Sequence, residues 1–194
     1  MAAGSPIVVV IAGPNGAGKS TTAPRILREN FGVEEFVNAD TIAAGLSALR
    51  PESVAVAAGR LMLRRMRELA ARRISFGFET TLATRRFARW LADLQQAGYA
   101  VTVLFFALPH VDMAIARVRE RVRAGGHDVP EATIRRRFRR GLANLARDYI
   151  PLADEWIVFD NSVAPGPRLV AEGGRATPPE VHDEAFWKQL RSRA

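Results

Sequence analysis

An unbroken apolar run, Ile7-Val8-Val9-Val10-Ile11-Ala12, ends at a glycine-rich stretch. Such a run reads as a strand buried on both faces. From Lys19 to about Glu29 the pattern is helical, and Pro24 inside it should kink or loosen the second turn. Glu35-Phe36-Val37-Asn38 is a short strand that runs into Ala39-Asp40. Pro51 suits a first helical position, and Val54, Ala58, Leu61, Arg65 and Leu69 carry that helix to about Arg72. Ile74 to Glu79 is the next strand, and Thr84 to Ala97 a helix closed by Gly98. Val101 to Leu108, apolar but for Thr102, again reads as a strand buried on both faces. A helix over Val111–Arg123, a Gly-Gly turn and a helix over Pro130–Arg147 follow. Trp156-Ile157-Val158-Phe159 is the last central strand. Beyond it come Pro165-Gly166-Pro167, an edge strand near Leu169–Ala171 and a short helix from Pro179 to Leu190. Strands separated by helices predict an α/β domain with a parallel sheet and right-handed crossovers. At 194 residues, one domain over 1–194 is expected.

Composition narrows the chemistry. The chain has no cysteine, which excludes disulfides, thiolate metal ligands and thiol nucleophiles. That suits a reducing cytoplasm, the expected location. No run approaches the ~20 apolar residues of a membrane span, and no basic stretch precedes Ile7, so neither a membrane anchor nor a signal peptide is expected. The net charge of +8 invites a nucleic-acid reading. However, the basic residues are nearly all arginine, Lys19 and Lys188 being the only lysines, and acidic residues are interspersed. Nucleic acid is therefore not expected as the main partner.

Gly13-Pro14-Asn15-Gly16-Ala17-Gly18-Lys19-Ser20 satisfies G-x-x-x-x-G-K-[ST] and sits between the first strand and the first helix. Glycines let the main chain wrap a polyphosphate with its N–H groups turned inward, and the helix N-terminus adds partial positive charge. Lys19 would reach the β- and γ-phosphates, and the Ser20 hydroxyl would ligate Mg²⁺.

In such sheets ligands bind beyond the carboxyl ends of the strands. Three strands end in polar residues there: Asn38-Ala39-Asp40, Glu79-Thr80-Thr81 and Asp160-Asn161-Ser162. Asp40 can serve as a general base toward an acceptor hydroxyl or cap the helix that follows. Glu79 can hold acceptor hydroxyls or hold Mg²⁺ through a water. Thr80 and Thr81 either line the same pocket or cap the next helix. Between Arg117 and Arg140 lies a basic helical hairpin. Arg117 and Arg121 share one face of its first helix, Gly125-Gly126 forms the turn, and Arg136 and Arg137 return on the second helix. It reads either as a closing lid over a triphosphate or as a solvated basic helix pair. His127 has neither a nearby carboxylate arrangement nor a partner at metal-ligand spacing.

Taken in order, Gly13–Thr21, Asn38-Ala39-Asp40, Phe78-Glu79-Thr80-Thr81, Gly125-Gly126-His127-Asp128-Val129-Pro130 and Asp160-Asn161-Ser162 resemble the zeta-toxin-like family of P-loop kinases, over roughly residues 7–162. The resemblance implies a three-layer P-loop NTPase fold with a five-stranded parallel sheet, order 2-3-1-4-5, and a helical lid at about 117–140. It implies ATP and Mg²⁺ as cofactors and phosphorylation of an acceptor hydroxyl, on UDP-N-acetylglucosamine in the best-known relatives. It further implies that Gly13, Pro14, Asn15, Gly16, Ala17, Gly18, Lys19, Ser20 and Thr21 hold the nucleotide. Lys19 with lid arginines such as Arg121 and Arg136 would handle the transferred phosphate, Asp40 would be the base, and Asp40, Glu79 and Thr81 would bind acceptor. The longer substrate-binding insertions expected of the larger toxins are not identifiable in the sequence, and no antitoxin-binding element is legible. Two other readings stand beside this one: a nucleoside or nucleotide kinase, and a nucleotide-dependent RNA-binding switch.

Overall fold

Every residue from Val8 to Ala12 is buried, as the uninterrupted apolar run requires of a central strand. The structure, a computed structural model, describes residues 4–163 and 166–193. Of the stretch Pro165-Gly166-Pro167, Pro165 lies outside the described residues. The strands are β1 (Ile7–Ala12), β2 (Glu35–Val37), β3 (Phe76–Thr80), β4 (Ala100–Ala107), β5 (Glu155–Asp160), β6 (Arg168–Gly174) and β7 (Glu180–Val181). They form one sheet in the order β2-β3-β1-β4-β5-β6-β7.

The first five pair in parallel in the expected order 2-3-1-4-5. The sheet is nonetheless seven-stranded and mixed, which corrects the expected five-stranded parallel sheet. β6 turns back antiparallel on β5, and β7 on β6. The tail's weak pattern has a physical origin. β7 has only two residues, and β6 ends in glycines where larger side chains would not fit. A Cβ at Gly173 would come within 2.8 Å of the Trp156 ring.

The helices are α1 (Lys19–Phe31), α2 (Ala39–Leu46), α3 (Ala55–Ala71), α4 (Arg86–Gln96), α5 (Val111–Arg123), α6 (Glu131–Asn144) and α7 (Glu184–Arg191). α1 continues through Pro24 and closes on Gly32 in the left-handed region. A short 3₁₀ turn, Pro51–Val54, leads into α3, and a π turn over Leu145–Tyr149 ends the helix begun at Glu131. The terminal helix starts at Glu184, later than expected, where Asp183 caps it through the Phe186 N–H at 2.9 Å.

Side chains on β3 show the layering. Gly77 faces α1, where an added Cβ would lie 2.8 Å from the Leu27 methyls, so only glycine lets the helix sit this close. The neighbouring Phe76 and Phe78 point to the other face, against Phe87 and Trp90 of α4. Helices thus cover both sides of the sheet. Each fully buried phenylalanine contributes about 1.5–3 kcal/mol relative to exposure. No helix among the described residues is long and apolar enough to cross a membrane.

Candidate functional site

Register brings the polar strand ends together. Ile11 of β1 lies opposite Glu79 of β3, and Ala12 opposite Thr80. The loop from Gly13 to Gly18 therefore leaves the sheet beside Glu79. Gly18 adopts φ 75°, and a Cβ there would come within 2.6 Å of the Asn161 amide nitrogen. A larger residue would displace the Asn161 side chain.

Lys19 is 5% exposed. Its ammonium donates to the Pro14 carbonyl at 2.9 Å and lies 3.4 Å from Glu79 Oε1. Burial pulls the Lys19 pKa below its ordinary 10.5; the Glu79 charge and hydrogen bond oppose that pull, and nearby Arg121 adds to it.

Glu79 is the hub of this edge. Its Oε2 accepts from Ser20 Oγ at 2.7 Å and from Asn38 Nδ2 at 2.7 Å. One carboxylate thus fastens the P-loop lysine, the P-loop hydroxyl and the end of β2. Asn38 in turn accepts from the N–H groups of Asp40 at 2.7 Å and Thr41 at 3.2 Å. Asn38, not Asp40, therefore caps α2. That leaves the Asp40 carboxylate, 55% exposed, 3.6 Å from His127 Nε2. His127 does have a carboxylate nearby; the pair is invisible in sequence because the partners belong to separate elements.

The threonines after Glu79 have different surroundings. Thr80 Oγ1 accepts from Leu82 N–H at 3.1 Å, bracing a turn in which buried Leu82 takes φ 54°. The Thr81 hydroxyl makes no hydrogen bond among the described residues, and its carbonyl lies against Gly141 of α6.

Asn161 and Arg117 clamp the loop from outside. Asn161 Nδ2 donates to the Ala17 carbonyl at 2.7 Å. Arg117 Nη1 donates to the carbonyls of Asn161 at 2.7 Å and Gly16 at 3.4 Å, and its Nη2 to that of Ser162 at 2.9 Å. Both residues had been singled out by strand-end position or helix-face spacing, but this bracing role was not. The four hairpin arginines singled out in the sequence, Arg117, Arg121, Arg136 and Arg137, divide. Arg121 Nη2 donates to the His127 carbonyl at 3.0 Å, and its buried Nε has no partner among the described residues. Among the described residues, Arg136 makes only a 3.4 Å contact with Thr133 Oγ1 of its own helix. Half-buried Arg137 has neither a hydrogen bond nor an ion pair among the described residues, and burial lowers its pKa. Arg136, Arg137, Asp40, Glu52 and His127 border a cavity of about 420 Å³ that the P-loop itself does not line.

The donor set suits a magnesium nucleotide. Ser20 Oγ and Glu79 Oε2 are hard oxygens 2.7 Å apart, the ligand type Mg²⁺ takes. The buried Asn15 Oδ1, without a partner among the described residues, marks further unspent polar capacity in the loop. A second group able to hold a metal, Glu172, Glu180 and His182, lies on and beside β6 and β7, with ligand atoms within 4.8 Å of one another.

A family model described as an AAA domain matches residues 8–145. Among solved structures, the AvrRxo1-ORF1:-ORF2 complex with ATP contains a chain similar to this one at TM-score 0.76 and 16% identity, over 97% of this chain and 64% of that one. This chain thus spans less than two thirds of that relative. A chain of the PezAT chromosomal toxin–antitoxin system of Streptococcus pneumoniae is similar at TM-score 0.63 and 14% identity, over 100% of this chain and 86% of the other. A gluconokinase from Sinorhizobium meliloti is similar at TM-score 0.50 and 15% identity, over 97% and 89%. At these identities the likeness is one of fold alone, an α/β P-loop fold.

Proposed function

The chain belongs to the AAA domain family, and we propose that within it this protein is an ATP-dependent phosphotransferase, moving the γ-phosphate to a hydroxyl of a small molecule. The observation that carries the reading is the pair of adjoining centres at one sheet edge. Glu79 ties Lys19, Ser20 and Asn38 together, and Asp40 stands beside them on a separate cavity. A hydrolytic switch needs the first centre; a transferase needs both.

In this reading the main-chain amides of Gly13–Lys19 and the Lys19 ammonium hold the triphosphate, and Arg121 approaches from α5 to balance charge as it shifts to the leaving oxygen. Ser20 and Glu79 would hold Mg²⁺, which when bound screens the phosphate oxygens. Asp40 takes the acceptor hydroxyl proton as the oxygen attacks phosphorus; the bond to the β-phosphate oxygen breaks and ADP leaves. Asn38, by capping α2, frees Asp40 for that role. Thr81 remains available to the acceptor.

The test is ADP release from Mg-ATP against a panel of sugars, sugar acids, nucleosides and nucleotide sugars. Acceptor-dependent release supports transfer, whereas release that ignores every acceptor sinks it. Asp40→Asn should keep ATP affinity and lower kcat by at least ~10²-fold; unchanged kcat would reject Asp40 as base. Lys19→Ala should abolish turnover.

A further inference from the structure

We infer that the acceptor is a compact polyol bearing one anionic group, a carboxylate or phosphate monoester, which Arg137 anchors with Arg136 beside it. The inference rests on the phosphotransferase reading and goes further by dividing the hairpin arginines between the two substrates.

Several observations make the division. Arg137 is a half-buried cation without a hydrogen bond or ion pair among the described residues, on the wall of the 420 Å³ cavity. A partly desolvated guanidinium is costly to leave unpaired, and its planar fork fits a carboxylate or phosphate in two-pronged fashion. The opposite charge in the same wall that acts on it is Asp40, whose carboxylate lies 3.6 Å from His127. Arg121, by contrast, does not line that cavity: its guanidinium donates to the His127 carbonyl at 3.0 Å, and its charge acts on Lys19 of the P-loop. No P-loop residue lines the cavity. The cavity therefore suits a second molecule better than the nucleotide tail.

Its other walls limit that molecule. Asp40, Glu52 and Asp128 bring three carboxylates to a space that holds two arginines and His127. A diphosphate would set extra negative charge against those acids. A single anionic group on Arg137, with hydroxyls facing the carboxylates, balances better. The volume also lies toward the lower end of the ~300–1,000 Å³ typical of ligand pockets. Ala43, Pro51 and Ala55 supply short apolar walls, with little to clamp a base.

The experiment compares matched probes on the full chain with Mg-ATP. The probes are D-gluconate with D-glucose, D-ribose 5-phosphate with D-ribose, and UDP-N-acetylglucosamine. Wild type should turn over at least one monoanion with kcat/KM at least ~10-fold above its neutral partner and above the nucleotide sugar. Arg137→Gln should raise that acceptor's KM at least ~10-fold and leave the KM for ATP unchanged; Arg137→Lys should recover part of the loss. Arg121→Gln should instead act through kcat and ATP. Neutral acceptors used equally well, preference for the nucleotide sugar, or an Arg137→Gln effect on ATP alone would each overturn the inference while leaving phosphotransfer intact. Calorimetry with ADP present separates the opposite failure. A monoanion that binds through Arg137 without any turnover keeps this site and removes the phosphotransferase reading. If no monoanion binds or reacts, the inference is wrong.

Discussion

Replacing Glu79 with alanine removes the only carboxylate within ion-pair reach of Lys19 among the described residues. Lys19 is 5% exposed and Glu79 12%, so the ammonium would stay buried with only the Pro14 carbonyl to receive it. Breaking a buried ion pair by deleting one partner costs ~3–5 kcal/mol. Because the carbonyl bond survives, the lower end applies, about 3 kcal/mol, a large share of the ~5–15 kcal/mol that holds a domain folded. The pH dependence gives a sharper check. Lys19 titrates below 10.5 in the folded chain, so between its folded pKa and 10.5 the unfolded chain binds more protons and stability rises with pH. Without Glu79 the upward pull is gone, the folded pKa falls further and that window opens at lower pH. The deficit of Glu79→Ala should therefore be largest near neutrality and shrink as pH rises toward 10. Urea unfolding of both proteins from pH 7 to pH 10 measures it, and other titrating groups cancel in the difference. Glu79→Gln, which keeps an acceptor for Ser20 but no charge, should fall between the two. A deficit under about 1 kcal/mol at pH 7, or one that stays constant with pH, would refute the hub argument.

Asn161→Ala removes the brace on the Ala17 carbonyl; it should cost about 1 kcal/mol of stability and weaken ADP binding ~10-fold by calorimetry. Unchanged ADP affinity would show that the loop holds its shape unaided. Asp160 is buried, which pushes its pKa up, yet hydrogen bonds from Ser162 and Arg168 bring it below the ordinary 3.8. Its stabilising contribution is thus present above that value and lost as pH falls through the folded pKa. Asp160→Asn should unfold about 1.5 kcal/mol more easily at pH 7, with the gap closing under acid; an equal gap at pH 2 and pH 7 would contradict this.

The parallel half of the sheet was legible because each strand is short, apolar and bounded by turn residues, as Val101–Leu108 illustrates. The P-loop was legible because its glycines and Lys19 are consecutive. What escaped depends on contacts distant in sequence. Asp40 and His127 stand 87 positions apart by their numbering, and only the meeting of α2 with the turn before α6 makes them neighbours. Asn38 looked like a strand residue; its capping bonds exist because β2 ends one residue earlier. β7 is two residues long, too short for any alternation to register.

Arginine content alone misdirects, because the same residue does different work according to what it touches. Arg85 bonds Asp148 at 2.8 Å, Arg135 bonds Asp112 at 3.0 Å, and Arg168 bonds Asp183 at 2.7 Å. These charges tie elements together, and half-exposed pairs of this kind contribute little stability. Arg117 and Arg121 share a helix face at i, i+4 yet have separate tasks. Arg117 is bound to three carbonyls at the P-loop and the β5 end. Arg121 is bound to the His127 carbonyl, beyond the glycine turn. Movement of α5 as a whole would break all three Arg117 bonds together. In the proposed phosphotransferase, closure over substrate must therefore take place beyond Arg117, where Gly125 sits at φ 87° with open space about it. Such a movement carries His127, Arg136 and Arg137 relative to Asp40 and leaves the P-loop clamp in place. Acceptor binding, more than nucleotide binding, should then drive the closure.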